Sequence, residues 1–216
     1  MKNILVIGLG RYGTHLARKM QELGNDVMIV DKDEETIEEL APIFTDSYIG
    51  DCTNEGVVRS LGVNNFDICF VCIGENFQSS LEITALLKDM KAKYVVSKAN
   101  RDIQARFLKS VGADEVIYPE REIAEKLAVR FNADNVYDYI QLTDEYSIFE
   151  IPVVPSWIGK SVLQVNVRRE HKINIIAIKH GEVLKPLPGG DYVFSNDDHL
   201  VVIGKSSDVF KLTSKR

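Results

Sequence analysis

The residues that could do chemistry cluster first at Ile7-Gly8-Leu9-Gly10-Arg11-Tyr12-Gly13, a Gly-x-Gly-x-x-Gly spacing between an apolar run and an amphipathic one. Between a strand and a helix, this spacing suits a nucleotide. Gly8 permits the tight turn, Gly10 lets a pyrophosphate approach the backbone, and Gly13 lets helix and strand pack closely. The N–H groups that open the helix then face the anion. Asp31 ends the next apolar run, at about the 20-residue distance where an acidic side chain meets ribose hydroxyls and repels a 2′-phosphate. The competing reading is glycines that serve turn geometry alone, with an aspartate at a strand end by chance.

Other residues fall on the same edge. Asp51-Cys52-Thr53 ends the third strand, where it either borders an adenine or caps the following helix. Gly74-Glu75-Asn76 ends the fourth strand beside the expected crevice, and Lys98 ends the fifth, where it could meet phosphates. For each, an ordinary surface-loop role stays open. Arg11 stands inside the phosphate loop, so its guanidinium either reaches a terminal phosphate, on its own nucleotide or a neighbour's, or is simply solvated. Tyr12, Lys32 and Ile73, inside or beside these strings, are counted with the same nucleotide-binding set.

Signs of catalysis are missing. His15, His171, His180 and His199 have no neighbours at metal-ligand spacing. Cys69-Phe70-Val71-Cys72 mimics C-x-x-C, but it lies in a strand, where positions three apart point to opposite faces. Buried structural cysteines fit better than a redox pair. There is no P-loop and no G-x-S-x-G elbow. A nucleotide site without an acid–base pair suggests a sensor rather than an enzyme. The rivals are a small NAD-dependent oxidoreductase and an NAD redox sensor for another partner.

The elements that must position these residues alternate. Strands are expected at 3–7, 26–30, 46–49, 67–73, 94–98 and 115–118, with helices near 14–23, 33–40, 53–61, 77–90 and 101–111. That is a Rossmann-like, doubly wound parallel α/β sheet. Residues 120–132 carry Ile123, Leu127 and Phe131 on one helical stripe, packed either on their own sheet or on a second subunit. The expected domains are 1–137, including that helix, and 138–216. The tail reads as a small α+β lobe: strands at 146–154, 173–179, 183–187, 192–194 and 199–203, and a helix at 161–170. At ~75 residues it folds alone only marginally, so pairing with a copy of itself is expected.

The composition sets the boundaries. Among 216 residues, 26 are Lys or Arg and 32 are Asp or Glu, for a net charge of −6. Such a chain has no basic footprint for nucleic acid or anionic lipid. The hydrophobic share of 45% is that of a globular protein. No apolar run approaches the ~20 residues of a membrane span, so no direct membrane insertion is expected. Three cysteines give an odd count, the usage of a reduced, cytoplasmic protein.

Taken in order, Val6 to Gly13, Ile49 to Thr53, Ile73 to Asn76, Lys98-Ala99, Val111 to Asp114 and Tyr118 to Arg121 resemble the Ktr/Trk regulatory subunits of potassium uptake systems, RCK-domain proteins of the KtrA/KtrC type. The likeness covers almost the whole chain. It implies a domain that binds ATP or ADP, and in some members NAD or NADH. It implies homodimers joined through the helix at 120–132. These assemble into an octameric ring beneath a membrane potassium-conducting subunit, at the inner face of the cell membrane. Arg11 matches an arginine that reads the γ-phosphate, Asp31 the ribose acid, and Glu120 a carboxylate that helps hold a divalent cation. Arg168, Asn174, Ile175 and Pro186 match a pocket for cyclic di-AMP, an inhibitory effector. One departure stands out: many relatives have Tyr-Gly where this chain has His171-Lys172.

Overall fold

The computed structural model describes residues 1–132 and 135–213, Asn132 by its backbone alone. The chain divides into two compact units, Met1–Arg121 and Glu122 onward.

In the first unit the elements run β1 (Asn3–Ile7), α1 (Arg11–Glu22), β2 (Asp26–Asp31), α2 (Glu34–Leu40), β3 (Asp46–Ile49), α3 (Glu55–Ser60), β4 (Ile68–Val71), α4 (Phe77–Asp89), β5 (Val95–Lys98), α5 (Asp102–Ser110) and β6 (Glu115–Ile117). The strands form a parallel sheet in the order β3-β2-β1-β4-β5-β6. β1 and β4 are neighbours although a long stretch of chain separates them, so strand order reverses at their shared edge. A crevice opens there outside the carboxyl ends.

Strand alternation feeds two cores, one on each face. Leu5, Ile7, Cys69 and Val71 pack with Ile83 and Leu87 of α4. Ile4, Val6, Phe70 and Cys72 pack with Ala17 of α1. Cys69 and Cys72 therefore lie in opposite cores. Both are free thiols, pushed up to about 12 by burial.

Two helix starts differ from expectation. α1 opens at Arg11, because Gly10 itself takes the extended N-cap conformation. Arg11, Tyr12 and Gly13 thus belong to its first turn. α3 opens at Glu55 with Asn54 as its cap, Asn54 Oδ1 accepting from Gly56 N at 2.8 Å, so neither Asp51 nor Thr53 caps that helix.

α6 (Pro119–Asn132) starts on a proline, whose missing N–H costs nothing in a first turn. The division between units falls inside it, between Arg121 and Glu122, whereas the sequence reading kept the helix with the larger domain and drew the boundary after residue 137. Val129 packs on the core of the second unit, and Lys126 pairs with Asp138 at 3.0 Å.

The second unit continues with β7 (Asp138–Gln141), β8 (Tyr146–Pro152), α7 (Val162–Val165), α8 (Val167–His171), β9 (Ile173–His180), β10 (Val183–Pro186), β11 (Asp198–Lys205) and α9 (Ser206–Thr213). Its antiparallel sheet runs β10-β9-β11-β8-β7 around Phe149, Trp157, Ile178, Phe194 and Leu200. β7 and α9 are not legible in the sequence. The expected single helix at 161–170 is two, broken by Asn166 in the left-handed region at φ 51°. The expected strand at 192–194 is an irregular segment with one bridge, Ser161 to Val193. Residues 214–216, the end of the second expected domain, lie outside the described residues.

Candidate nucleotide site

The glycine loop owes its shape to close packing. Gly8 has φ +93°, and a Cβ there would stand 3.1 Å from Ile73 Cγ1. A Cβ on Gly13 would sit 1.9 Å from the carbonyl oxygen of Gly8, so only glycine lets the loop fold back on the helix. A Cβ on Gly10 would meet no protein atom within 4 Å. That glycine lines a cleft of about 290 Å³ at the switch point between β1 and β4.

The cleft gathers residues from four strand ends. Gly8 and Gly10 come from the loop after β1, Asp31 and Lys32 from the end of β2 and just beyond it, Asp51 and Cys52 from beyond β3, and Ile73, Gly74, Glu75 and Asn76 from beyond β4. Gly50 and Ser79, which the sequence reading did not select, line it as well. Gly50 was discernible, since it stands inside the Ile49-Gly50-Asp51 string. Ser79 carries no such signal.

Asp31 is held in place before any ligand arrives. Its Oδ2 accepts Leu9 N at 2.7 Å and its Oδ1 accepts Asp33 N at 3.0 Å. The first of these bonds also ties β2 to the glycine loop. Each carboxylate oxygen retains accepting capacity, as a pair of ribose hydroxyls requires. Asp51 Oδ1 accepts both the N–H (2.9 Å) and the hydroxyl (2.8 Å) of Thr53, which hold this carboxyl below its ordinary value. Between them the Cys52 thiol is pushed up to about 12, by burial first and then by the charges of Asp51 and Asp31. It is an inert part of the cleft wall. Asn76 uses its Oδ1 to cap α4 through Ser79 N, at 3.1 Å.

Further along the same edge, Lys98 is only 10% exposed, and its Nζ meets Glu120 Oε1 at 2.7 Å. It also lies over the Tyr12 ring, 5.7 Å from the centroid. The Lys98 bond holds the Glu120 carboxyl below its usual range. Lys98, Tyr12 and Glu120 thus form a group of their own. Arg11 is exposed at the start of α1, and neither it nor Gly13 nor Thr53 is among the residues that line the cleft.

In the second unit, Arg168 Nε donates to Asn174 Oδ1 at 2.6 Å, joining α8 to the start of β9. Ile175 is half-buried on β9, and Pro186 is exposed at the end of β10, opposite Ala177. Lys172, at the departure noted above, has φ 57° and ψ 27°. This left-handed backbone suits glycine better than lysine.

Comparison with known proteins follows the same two-part division. Residues 4–119 match the TrkA-N domain and residues 147–215 the TrkA-C domain. The chain is 36% identical to the Ktr system potassium uptake protein C of Bacillus subtilis over 99% of its own length and 97% of that protein. It is 35% identical to the same organism's Ktr system potassium uptake protein A, over 96% and 94% respectively. Among solved structures, the RCK domain of GsuK superposes with a TM-score of 0.70 at 17% identity, covering 99% of this chain and 48% of that one. The GsuK channel bound to NAD gives 0.69 at 19% identity, covering 96% and 38%. The chain spans less than half the length of those two structural relatives.

Proposed function

The chain belongs to the TrkA-domain family of Ktr/Trk potassium-uptake proteins, and from that premise we propose that it is a regulatory subunit whose nucleotide state controls a membrane potassium-conducting partner. In this reading it acts by binding, without turnover, from the inner face of the membrane. Among the described residues no helix is long and apolar enough to cross a bilayer, so the proposed membrane role runs through that other subunit.

The observation that carries the nucleotide reading is Asp31. Its carboxylate is fixed by the Leu9 N–H at the mouth of a glycine loop, in a cleft at the switch point. The adenosine end of an adenine nucleotide fits the Asp31, Asp51 and Cys52 side, and its phosphates fit Gly8 and Gly10. ATP and ADP are the proposed ligands. NAD or NADH is the second reading: GsuK structures carry NAD in one case and ADP in another, and Asp31 suits either ribose. Gating requires a ligand with different affinity for two states. The γ-phosphate supplies that difference if Arg11, free of the cleft wall, reaches it on its own or a neighbouring subunit's nucleotide.

Three finer parts belong to the same proposal. α6 leaves Ile123, Leu127 and Phe131 exposed by 57%, 40% and 75%, a stripe that supports homodimer formation through this helix and a ring of dimers, octameric in this reading. Glu120, whose Oε1 accepts from Lys98 Nζ, is the proposed carboxylate for a divalent cation. Arg168, Asn174, Ile175 and Pro186, gathered on α8, β9 and β10, are the proposed contacts of cyclic di-AMP.

The test is direct. Mass spectrometry of the purified protein should find a copurifying adenine nucleotide. In calorimetry, Asp31→Ala should weaken ATP, ADP and NADH alike by tenfold or more, the scale of a lost charged hydrogen bond at ~1.5–3 kcal/mol. Unchanged binding of all three would sink the assignment.

A further inference from the structure

Beyond the last paired residues of β4 and β5, a side-chain hydrogen bond joins the two segments. The parallel register runs Cys69 to Val95, Phe70 to Val96 and Val71 to Ser97. Carried three residues further, it sets Gly74 opposite Asn100. Asn100 Nδ2 donates to the carbonyl oxygen of Gly74, so a side chain supplies a rung that the ladder no longer makes. Asn100 is itself held from α5. Its backbone N–H donates to Gln104 Oε1 at 2.9 Å, the reach-back of a residue in the first turn of a helix. Its own Oδ1 is buried without a hydrogen-bond partner among the described residues. Leaving an acceptor so placed is costly, and the arrangement calls for a reason.

The reason lies in the peptide that Asn100 grips. A trans peptide is planar, with C=O and N–H pointing opposite ways. Fixing the Gly74 oxygen toward β5 turns the N–H of Glu75 away from β5, to the side where β1 and the glycine loop lie. Gly74, Glu75 and Gly10 all line the cleft. Lys98 comes near the same peptide: a Cβ on Gly74 would lie 3.6 Å from Lys98 Nζ and 3.8 Å from Asn100 Nδ2. Without that Cβ, an ammonium and a carboxamide donor stand close beside one peptide of the cleft wall.

We propose that Asn100 is a positioning residue of the nucleotide site: by holding the Gly74–Glu75 peptide it presents the Glu75 N–H to a phosphate oxygen across from the glycine loop. This rests on the nucleotide reading given above. It adds a residue that touches no ligand itself and acts on the phosphates, not on the adenosine.

The experiment compares two ligands on the full chain, ADP by calorimetry and adenosine by ligand-detected NMR. Asn100→Asp keeps the shape and places an acceptor against the Gly74 carbonyl. Gln104→Ala is milder, loosening Asn100 from behind. The expected result for Asn100→Asp is an ADP Kd raised tenfold or more with the adenosine Kd changed less than twofold. Gln104→Ala should show a smaller loss of the same kind. In hydrogen exchange the Glu75 amide should be protected by ADP in the wild type and lose that protection in both variants. Equal weakening of ADP and adenosine overturns the proposal, since general loosening of the fold does that. Unchanged ADP affinity with unchanged Glu75 protection overturns it too. A wild-type chain that binds neither ligand fails the nucleotide reading itself, a separate result.

Discussion

At the residue scale, the site depends on which polar atoms are already committed. Asp31 is braced by two backbone N–H groups, Asn76 is occupied in capping α4, and Lys98 is taken by Glu120. Arg11 is exposed at the head of α1 and does not line the cleft. Arg11→Ala is therefore expected to keep ADP binding while removing any preference for ATP. Equal loss of both nucleotides by calorimetry would contradict a γ-phosphate role. Glu120 gives a pH dependence whose sign follows from its partner. The Lys98 bond lowers its folded-state pKa below the ordinary 4.5. The pair's contribution is thus present above about 4.5 and fades as pH falls through the lowered value. Side-chain carbon NMR should find the Glu120 midpoint below 4.5, and Lys98→Ala should return it toward 4.5.

At the element scale, backbone conformation explains what periodicity misses. Apolar spacing reads 161–170 as one helix, but Asn166 turns into the left-handed region and splits it. Lys172 does the same between α8 and β9, a conformation that costs a residue with a Cβ roughly 1–2 kcal/mol. Lys172→Gly relieves this strain while adding freedom to the unfolded chain. Its net effect is expected to be stabilising by about 0.5–1 kcal/mol, read as a higher denaturant midpoint at unchanged slope. A lower midpoint would mean that the lysine stem packs where it stands. The irregular run at 192–194 is held differently: Val162 N bonds Tyr192 O at 2.9 Å and Phe194 N bonds Lys160 O at 3.0 Å. Its aromatic alternation resembles a strand, while its backbone serves the helix-bearing loop beside it.

For the whole molecule, what the chain leaves uncovered matters as much as its cores. Each unit buries its own apolar set, while Ile123, Leu127 and Phe131 remain on one face of α6. Residues four apart on a helix share a face, so the three form one stripe. Ile123→Asp combined with Phe131→Asp should convert the sedimenting species to a monomer at micromolar concentration. The melting temperature of each unit should change little, since both side chains are more than half exposed. An unchanged oligomer would remove α6 from the interface.

Much of this protein was legible as sequence because its signals are local. The glycine spacing, the continuous apolar runs of β1 and β4 and the glycine stops of the larger unit act within a few residues of one another. They set the α/β class, the glycine loop with Asp31 beside it, and the opposite-facing cysteines. The family likeness added the roles proposed for Arg11 and Glu120. Tertiary structure alone decided what depends on residues far apart in the chain. Lys98 could have met solvent but meets Glu120. Asn54, not Asp51 or Thr53, caps α3. Short β7 is a strand because β8 offers it a ladder and Tyr139 packs in the core against Phe149. Asn100 lacks any motif, and its importance appears only when β5 brings it against Gly74. Hydrophobic period and turn chemistry are properties of neighbours along the chain. A hydrogen bond between two strand ends depends on register, and the packed sheet sets that register.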